Sequence, residues 1–499
     1  MNPTSDARIV PANKKMWTNW HKSFRVKIAD QLDIYNPAGD ATLEKYAQTT
    51  AALQQAIGQA QSEGRRIRAY GSGWSLSQAA VCDGYLVNSA YLNFTFNVAA
   101  GSLADDSPFD PGLLLFAQCG CAVSEINRVL EASGRSLHTS GSANGQTIVG
   151  ASSANTHGSV LEFGAIHDHI VGLHIIVAAD RHVWIEPKSA PVASDAFIAR
   201  LGAEAIRDDD MFAAAVLSFG SFGIIHGVML RVRPRFMLDA YLIKIDWNDA
   251  LYQAMDSGDF TTLPLPRQGR QPHFFEPNFS PFDQANAYVS VMYDEPDDPT
   301  HVPDYRTSPD HRIGFAALDL IRVITDQVPQ LIPTLVTAAM GDVFASNHET
   351  GTWGEIFDYF SPDDRAACAA IAVDAAETSR AMHVILDVLR QTPALTFLSA
   401  RFVRKSQGLM TFTRYDRTCV LSLDSVLSNQ TSLFYARMWE AMDAAGIDFT
   451  SHWGKSSDFS RARVARTYGP NLAKWLDLRR QLLGAAGLAT FSNAITDQW

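Results

Sequence analysis

The chain has 499 residues, 46% of them apolar, a formal net charge of −12 and only five cysteines. That length and apolar content imply a globular protein of two or three packed units. The acidic balance argues against nucleic acid or an anionic membrane as partner, since both demand a basic face, and leaves small molecules.

Cys82, Cys119, Cys121, Cys368 and Cys419 lack the spacing of a metal knuckle and read as reduced thiols, so no metal site is expected. No signal-peptide core opens the chain. The most apolar later window, 328–340, is broken by Pro329 and Pro333 and is too short for a bilayer. The expectation is a cytoplasmic protein with no membrane span.

Residues 40–64 read as a helix, with Asp40 as N-cap, Leu53, Ile57 and Ala60 at helical spacing and Gly64 at the end. A strand at 66–70 then delivers the chain into RAYGSGWS, residues 68–75. Gly71, Ser72, Gly73, Trp74 and Ser75 offer closely spaced amides with hydroxyls beside them, the chemistry of an anion nest. A plain strand-to-loop turn is the alternative. The Rossmann fingerprint fails, because Leu76 stands where its last glycine is needed.

A helix at 124–133 leads to a second stretch of small residues: Ser140, Gly141 and Ser142, then 150–159 with Gly150, Ser153, Thr156, His157 and Gly158. This is either a second amide-lined cradle or a solvated linker. His157 within it reads as a hydrogen-bonded core histidine, with ligand or base as alternatives. His167 and His169 flank Asp168 at a spacing that would suit a metal, but without a third ligand the segment reads as a solvated loop. A hairpin at 170–186, a helix at 208–217 with acids over its positive end, and a strand at 224–232 closed by Pro234 complete one α+β unit.

After Pro234 the texture changes. Residues 259–312 are rich in Pro, Asp and aromatics and hold an alternating strand at 286–293; 314–389 read as mainly helical; strands follow at 395–403 and 418–423. The tail carries His452, Trp453, Gly454 and Lys455, a helix at 472–483 and Asn493, and is expected to return to the first unit. Gly454, Lys455 and Ser456 imitate the end of a P-loop, but the opening glycine of that motif would fall on Phe449.

Four motifs in order carry a resemblance: RAYGSGWS at 68–75, NTHGS at 155–159, FGSFGII at 219–225 before a strand ending RVRP at 231–234, and HWGK at 452–455. The pattern resembles the vanillyl-alcohol-oxidase superfamily of PCMH-type FAD flavoproteins, nearest its alditol, aldonolactone and type-II cholesterol oxidase branch.

The resemblance implies an α+β fold: a two-subdomain FAD-binding domain at 1–235, a cap over the substrate at 236–445, and a C-terminal segment, 446–499, returning to the first domain. It implies that Gly71 to Ser75 hold the pyrophosphate. Ser140, Gly141, Gly150, Ser153, Thr156, His157 and Gly158 would line the flavin and ribityl chain, with Ile224 towards the adenine and Asn493 in the tail. Lys455 would approach the flavin N1 region, and Arg401 and His452 would orient the substrate oxygen.

The implied reaction is oxidation of a CH–OH group by hydride transfer to FAD, with O2 or another acceptor taking the electrons. Two departures matter. Trp74 occupies the place where many relatives attach FAD covalently through histidine, so non-covalent FAD is expected. Ser399 replaces a glutamate that binds a sugar hydroxyl in polyol-oxidising relatives, which puts a sugar substrate in doubt. A phenol, amine or ether-lipid substrate, or a silent FAD-binding protein, are the rival readings.

Overall fold

The first helix spans Leu43–Ser62 and is capped by Thr42, whose hydroxyl accepts from Lys45 N at 3.2 Å. The cap falls two residues past Asp40 because Thr42 directly precedes the first helical residue, Leu43. Leu53, Ile57 and Ala60 are buried against a four-stranded sheet ordered Arg8–Pro11, Asp30–Tyr35, Tyr85–Asn88, Ile67–Tyr70. The last three strands are parallel. The strand Ile67–Tyr70 therefore ends at the carboxyl edge, where open parallel sheets leave room for a ligand, and the first glycine run starts there. The computed structural model describes residues 6–305, 326–359 and 366–499.

A six-stranded sheet follows, ordered Glu204–Arg207, His182–Glu186, Ile170–Ile176, Ile224–Arg231, Leu114–Gln118, Thr95–Asn97. Every residue of Ile170–Ile176 is buried. Its core takes side chains from the helices Val123–Glu131 and Asp209–Ala215 and, from the tail, Val464, Trp475 and Leu482.

Two sequence expectations change here. His167 and His169 are buried rather than solvated: His167 Nε2 meets Gln407 O at 2.7 Å, and His169 Nε2 accepts from His138 N at 2.9 Å. The stretch 150–159 is not all loop. It opens inside the short helix Ile148–Ser153, whose N-cap Thr147 accepts from Gly150 N at 3.3 Å.

The largest sheet has eight strands, ordered Asn347–Thr352, Met237–Asp246, Asp283–Glu295, Phe274–Ser280, Thr396–Arg404, Arg417–Val426, Ala366–Asp374, Thr450–Ser451. Two of these strands, Asn347–Thr352 and Ala366–Asp374, fall inside 314–389, the stretch expected to be mainly helical; residues 314–325 and 360–365 of it lie outside the described residues. The alanine-rich run at 366–372 has good helix propensity, but its small side chains fit a strand buried on both faces, and tertiary packing overrides propensity.

Strand alternation divides this sheet into two faces. Ala367, Ala369, Ile371, Leu398, Ala400, Phe402, Leu421 and Leu423 share a core with Met382, Ile385 and Leu389 of the helix Thr378–Gln391 and Phe434 and Met438 of the helix Asn429–Ala444. The opposite parity, including Cys368, Arg401 and Asp424, faces a groove. Among the described residues no helix is long and apolar enough to cross a membrane.

Candidate active site

A groove of about 610 Å³ runs where the three sheets meet. One wall is the first glycine run. Gly73 has φ +69°, a conformation that glycine adopts without strain. A Cβ on Gly71 would lie 1.9 Å from Thr147 Oγ1, so only glycine lets the first run touch the cap of the helix that opens the second. Ser72 Oγ donates to Gly145 O at 2.6 Å, tying the two together again.

The tail locks onto the same place. Leu76 N donates to Gly454 O at 2.8 Å, and Ser77 Oγ donates to Trp453 O. On its other side the tail pairs with the cap strand: His452 N donates to Ala370 O at 3.0 Å and Ser456 N to Cys368 O at 2.8 Å. Motifs far apart in sequence are thus bonded to each other around one cavity.

Of the residues singled out from sequence, Gly71 to Ser75, Gly141, Gly150, Ser153, Thr156, His157, Ile224, Arg401, His452 and Lys455 line the groove. Ser140, Gly158 and Asn493 lie behind it. Ser140 Oγ accepts from Trp353 Nε1 at 3.0 Å, and a Cβ on Gly158 would meet Thr139 Oγ1 at 2.5 Å. Asn493 Nδ2 donates to Ala79 O and Val81 O, both at 2.9 Å, bracing a segment that lines the groove.

Charge is concentrated on the cap wall. Arg401 forks onto Glu276 Oε1 through Nε at 2.8 Å and Nη2 at 2.7 Å. Lys455 Nζ donates to Ser422 Oγ at 3.1 Å and stands 3.9 Å from Asp424 Oδ1. His452 is buried beside these cations and His157; burial first, then Lys455, His157 and Arg401, depress its pKa well below the usual value. Its Nδ1 accepts from Gly454 N at 2.9 Å, which leaves the proton of the neutral ring on Nε2. His157, depressed likewise by burial and then by Arg401 and Lys455, places Nδ1 2.9 Å from Gly158 O.

Sequence reading missed several participants. Arg68 is fully buried and donates to Ala79 O, to Phe219 O at 2.6 Å and to Phe491 O at 2.6 Å. Asp424 and Cys368 line the groove from neighbouring strands. The alternation of Leu421, Ser422, Leu423 and Asp424 was the available signal, but the expected strand stopped at 423.

Residues 43–186 match a family model described as an FAD binding domain. Over 461 residues, 91% of this chain and 92% of the relative, the sequence is 22% identical to L-gulono-1,4-lactone dehydrogenase of Mycobacterium tuberculosis. A stretch of 207 residues, 40% of this chain and 33% of the relative, is 26% identical to D-arabinono-1,4-lactone oxidase of Debaryomyces hansenii. The fold matches a solvent-stable cholesterol oxidase with a TM-score of 0.71 over 98% of both chains at 15% identity. It also matches cholesterol oxidase from B. sterolicum with a TM-score of 0.71, over 100% of this chain and 98% of that one, at 13% identity.

The FAD-binding domain, the relatives along the chain and the matching fold support a place in the vanillyl-alcohol-oxidase superfamily of flavoproteins. The residues present in this flavoprotein fit its dinucleotide. Two stretches of amides and hydroxyls, packed at a contact that no side chain at position 71 could share, supply donors for a diphosphate. An ammonium on the cap wall supplies a positive charge for a ring that becomes anionic on reduction.

Proposed function

We propose that this flavoprotein oxidises a CH–OH group, using FAD bound without a covalent link, and passes the electrons to O2 or another acceptor. FAD, when bound, supplies the hydride acceptor that no side chain offers. The observation that carries the reading is that Arg401, His452 and Lys455 line the same groove as the glycine-rich runs. The relatives named as lactone dehydrogenases and oxidases support it.

Each residue has a distinct task in this reading. Lys455, held by Ser422, places its charge where negative charge grows. His452, neutral with its proton on Nε2, acts as a donor that positions the substrate oxygen and not as a cationic acid. Arg401 is fixed by Glu276 and orients the substrate from the cap. Trp74, whose ring centroid lies 6.2 Å from Trp20 and 6.4 Å from His21, lines the groove, and an indole offers no nucleophile for covalent attachment. By this proposal 1–235 bind FAD, 236–445 cap the substrate and 446–499 close the site.

Anaerobic mixing of the yellow holoenzyme with a panel of alcohols, lactones, phenols, amines and sterols tests the reading. Bleaching by hydroxyl compounds, with colour restored by air or an artificial acceptor, is expected. Bleaching by amines or phenols alone would overturn it.

A further inference from the structure

On the groove side of the eight-stranded sheet, residues paired across the strands form rows. Asn278, Ser399 and Ser422 make one row; Phe397, Asp424 and Cys368 make the next. Directly paired residues project to the same face. Ser399 is buried and does not line the groove. One strand over and one row along, Asp424 lines the groove with 53% of its side chain open.

Asp424 is prepared as an acceptor. The Cys368 thiol donates to its Oδ1 at 2.6 Å, which fixes the carboxylate plane, and among the described residues Oδ2 carries no hydrogen bond. Desolvation by the surrounding wall opposes its ionisation, but Lys455, Arg401 and the thiol together hold its pKa below the usual carboxylate value. A fixed, ionised carboxylate with a free oxygen accepts from a hydroxyl and repels an anion.

Charge balance narrows the ligand. The two cations on the cap wall, Arg401 and Lys455, face two carboxylates, Glu276 and Asp424, at 2.7 Å and 3.9 Å respectively. Both nearby histidines are held neutral. This wall has no surplus positive charge for a hydroxy acid, and an apolar sterol lying on it would strip water from Asp424 Oδ2 without supplying a donor in its place.

We infer that Asp424, oriented by Cys368, is a specificity-determining residue that accepts a hydrogen bond from a second hydroxyl of the substrate and disfavours an anionic or wholly apolar one. The inference rests on the CH–OH reading above and deepens it. A carboxylate on the neighbouring strand thereby presents to the groove an acceptor that the buried Ser399 does not.

Recognition is separable from turnover. In dithionite-reduced holoenzyme no hydride can be accepted, so calorimetric titration reads binding alone. L-gulono-1,4-lactone and xylitol are expected to bind at least tenfold more tightly than cyclopentanol, gulonate or micellar cholesterol. Asp424→Asn should weaken the lactone and xylitol on the order of 10–100-fold, the value of one charge-assisted hydrogen bond, and leave cyclopentanol within about twofold. With the oxidised enzyme the same variant should raise KM for the lactone far more than it lowers kcat.

Retained FAD and an unchanged flavin spectrum show that the variant is folded; Cys368→Ser, which keeps a donor to Oδ1, should retain most of the discrimination. Preference for cyclopentanol, gulonate or cholesterol in the wild type, or lactone binding insensitive to Asp424→Asn, overturns the inference. If binding behaves as expected while no hydroxyl compound bleaches the oxidised enzyme, the CH–OH reading fails and the recognition site stands. Bleaching by the lactone with no effect of Asp424→Asn has the opposite meaning.

Discussion

Arg68 offers the most demanding test of how the groove is held together. Its guanidinium donates to the carbonyls of Ala79, Phe219 and Phe491, joining the segment after the first glycine run, the loop before the strand Ile224–Arg231, and the end of the tail helix. Asn493 reinforces the same junction through Ala79 O. Arg68→Met keeps much of the aliphatic volume and removes all three donors. Each hydrogen bond to a charged group contributes about 2 kcal/mol.

Against that stands the cost of burying the charge, which lowers the Arg68 pKa to about 10. A depression of that size corresponds to about 3 kcal/mol. The difference leaves a net loss of about 3 kcal/mol, concentrated where tail and groove meet. Arg68→Lys should recover less than half of it, because an ammonium cannot span three carbonyls as a planar fork does. The assay is thermal unfolding followed by flavin fluorescence, with the rate of FAD release measured at 25 °C. An unfolding midpoint within about 1 °C of wild type, together with unchanged FAD release, would refute the reasoning.

Four further outcomes are expected. Gly71→Ala should abolish yellow colour in the purified protein, because its Cβ would lie 1.9 Å from Thr147 Oγ1, and a doubled mutant with Thr147→Ala should recover part of it. Lys455→Met should retain FAD and slow anaerobic flavin reduction by about 100-fold or more in stopped flow; reduction at the wild-type rate would remove Lys455 from the chemistry. Trp74→His should make a fraction of the FAD resist acid precipitation, whereas wild type should release all of it. Burial depresses the pKa of His138 to about 2, His226 to about 3 and His169 to about 4. These rings are neutral in the fold while the unfolded chain takes up protons below about pH 6.5. Stability is therefore fully present above about pH 6.5 and falls by about 1.4 kcal/mol per histidine for each pH unit between 6.5 and 4. Urea titrations at pH 7.5 and 5.5 that give equal stabilities would contradict this assignment.

Local chemistry was legible along the chain: where glycine and hydroxyl residues crowd together, where helices lie to within a few residues at most ends, and that the motifs at 68–75, 155–159, 219–225 and 452–455 occur in one family's order. Such signals survive in one dimension because positive φ, capping and short-range hydrogen bonding are settled within a few residues. Only the tertiary structure decided that Ala366–Asp374 is a strand, that His167 and His169 are buried, and that Arg68 fastens three distant carbonyls. It also decided that Asp424, Cys368, Arg401 and Lys455 share one wall, since Arg401 and Asp424 come to one face, two rows apart, only once Thr396–Arg404 and Arg417–Val426 pair in one register. Alternation along a strand is written locally, but which strands lie side by side is fixed by burial of the opposite face against the helices Thr378–Gln391 and Asn429–Ala444, a non-local balance that no single segment contains.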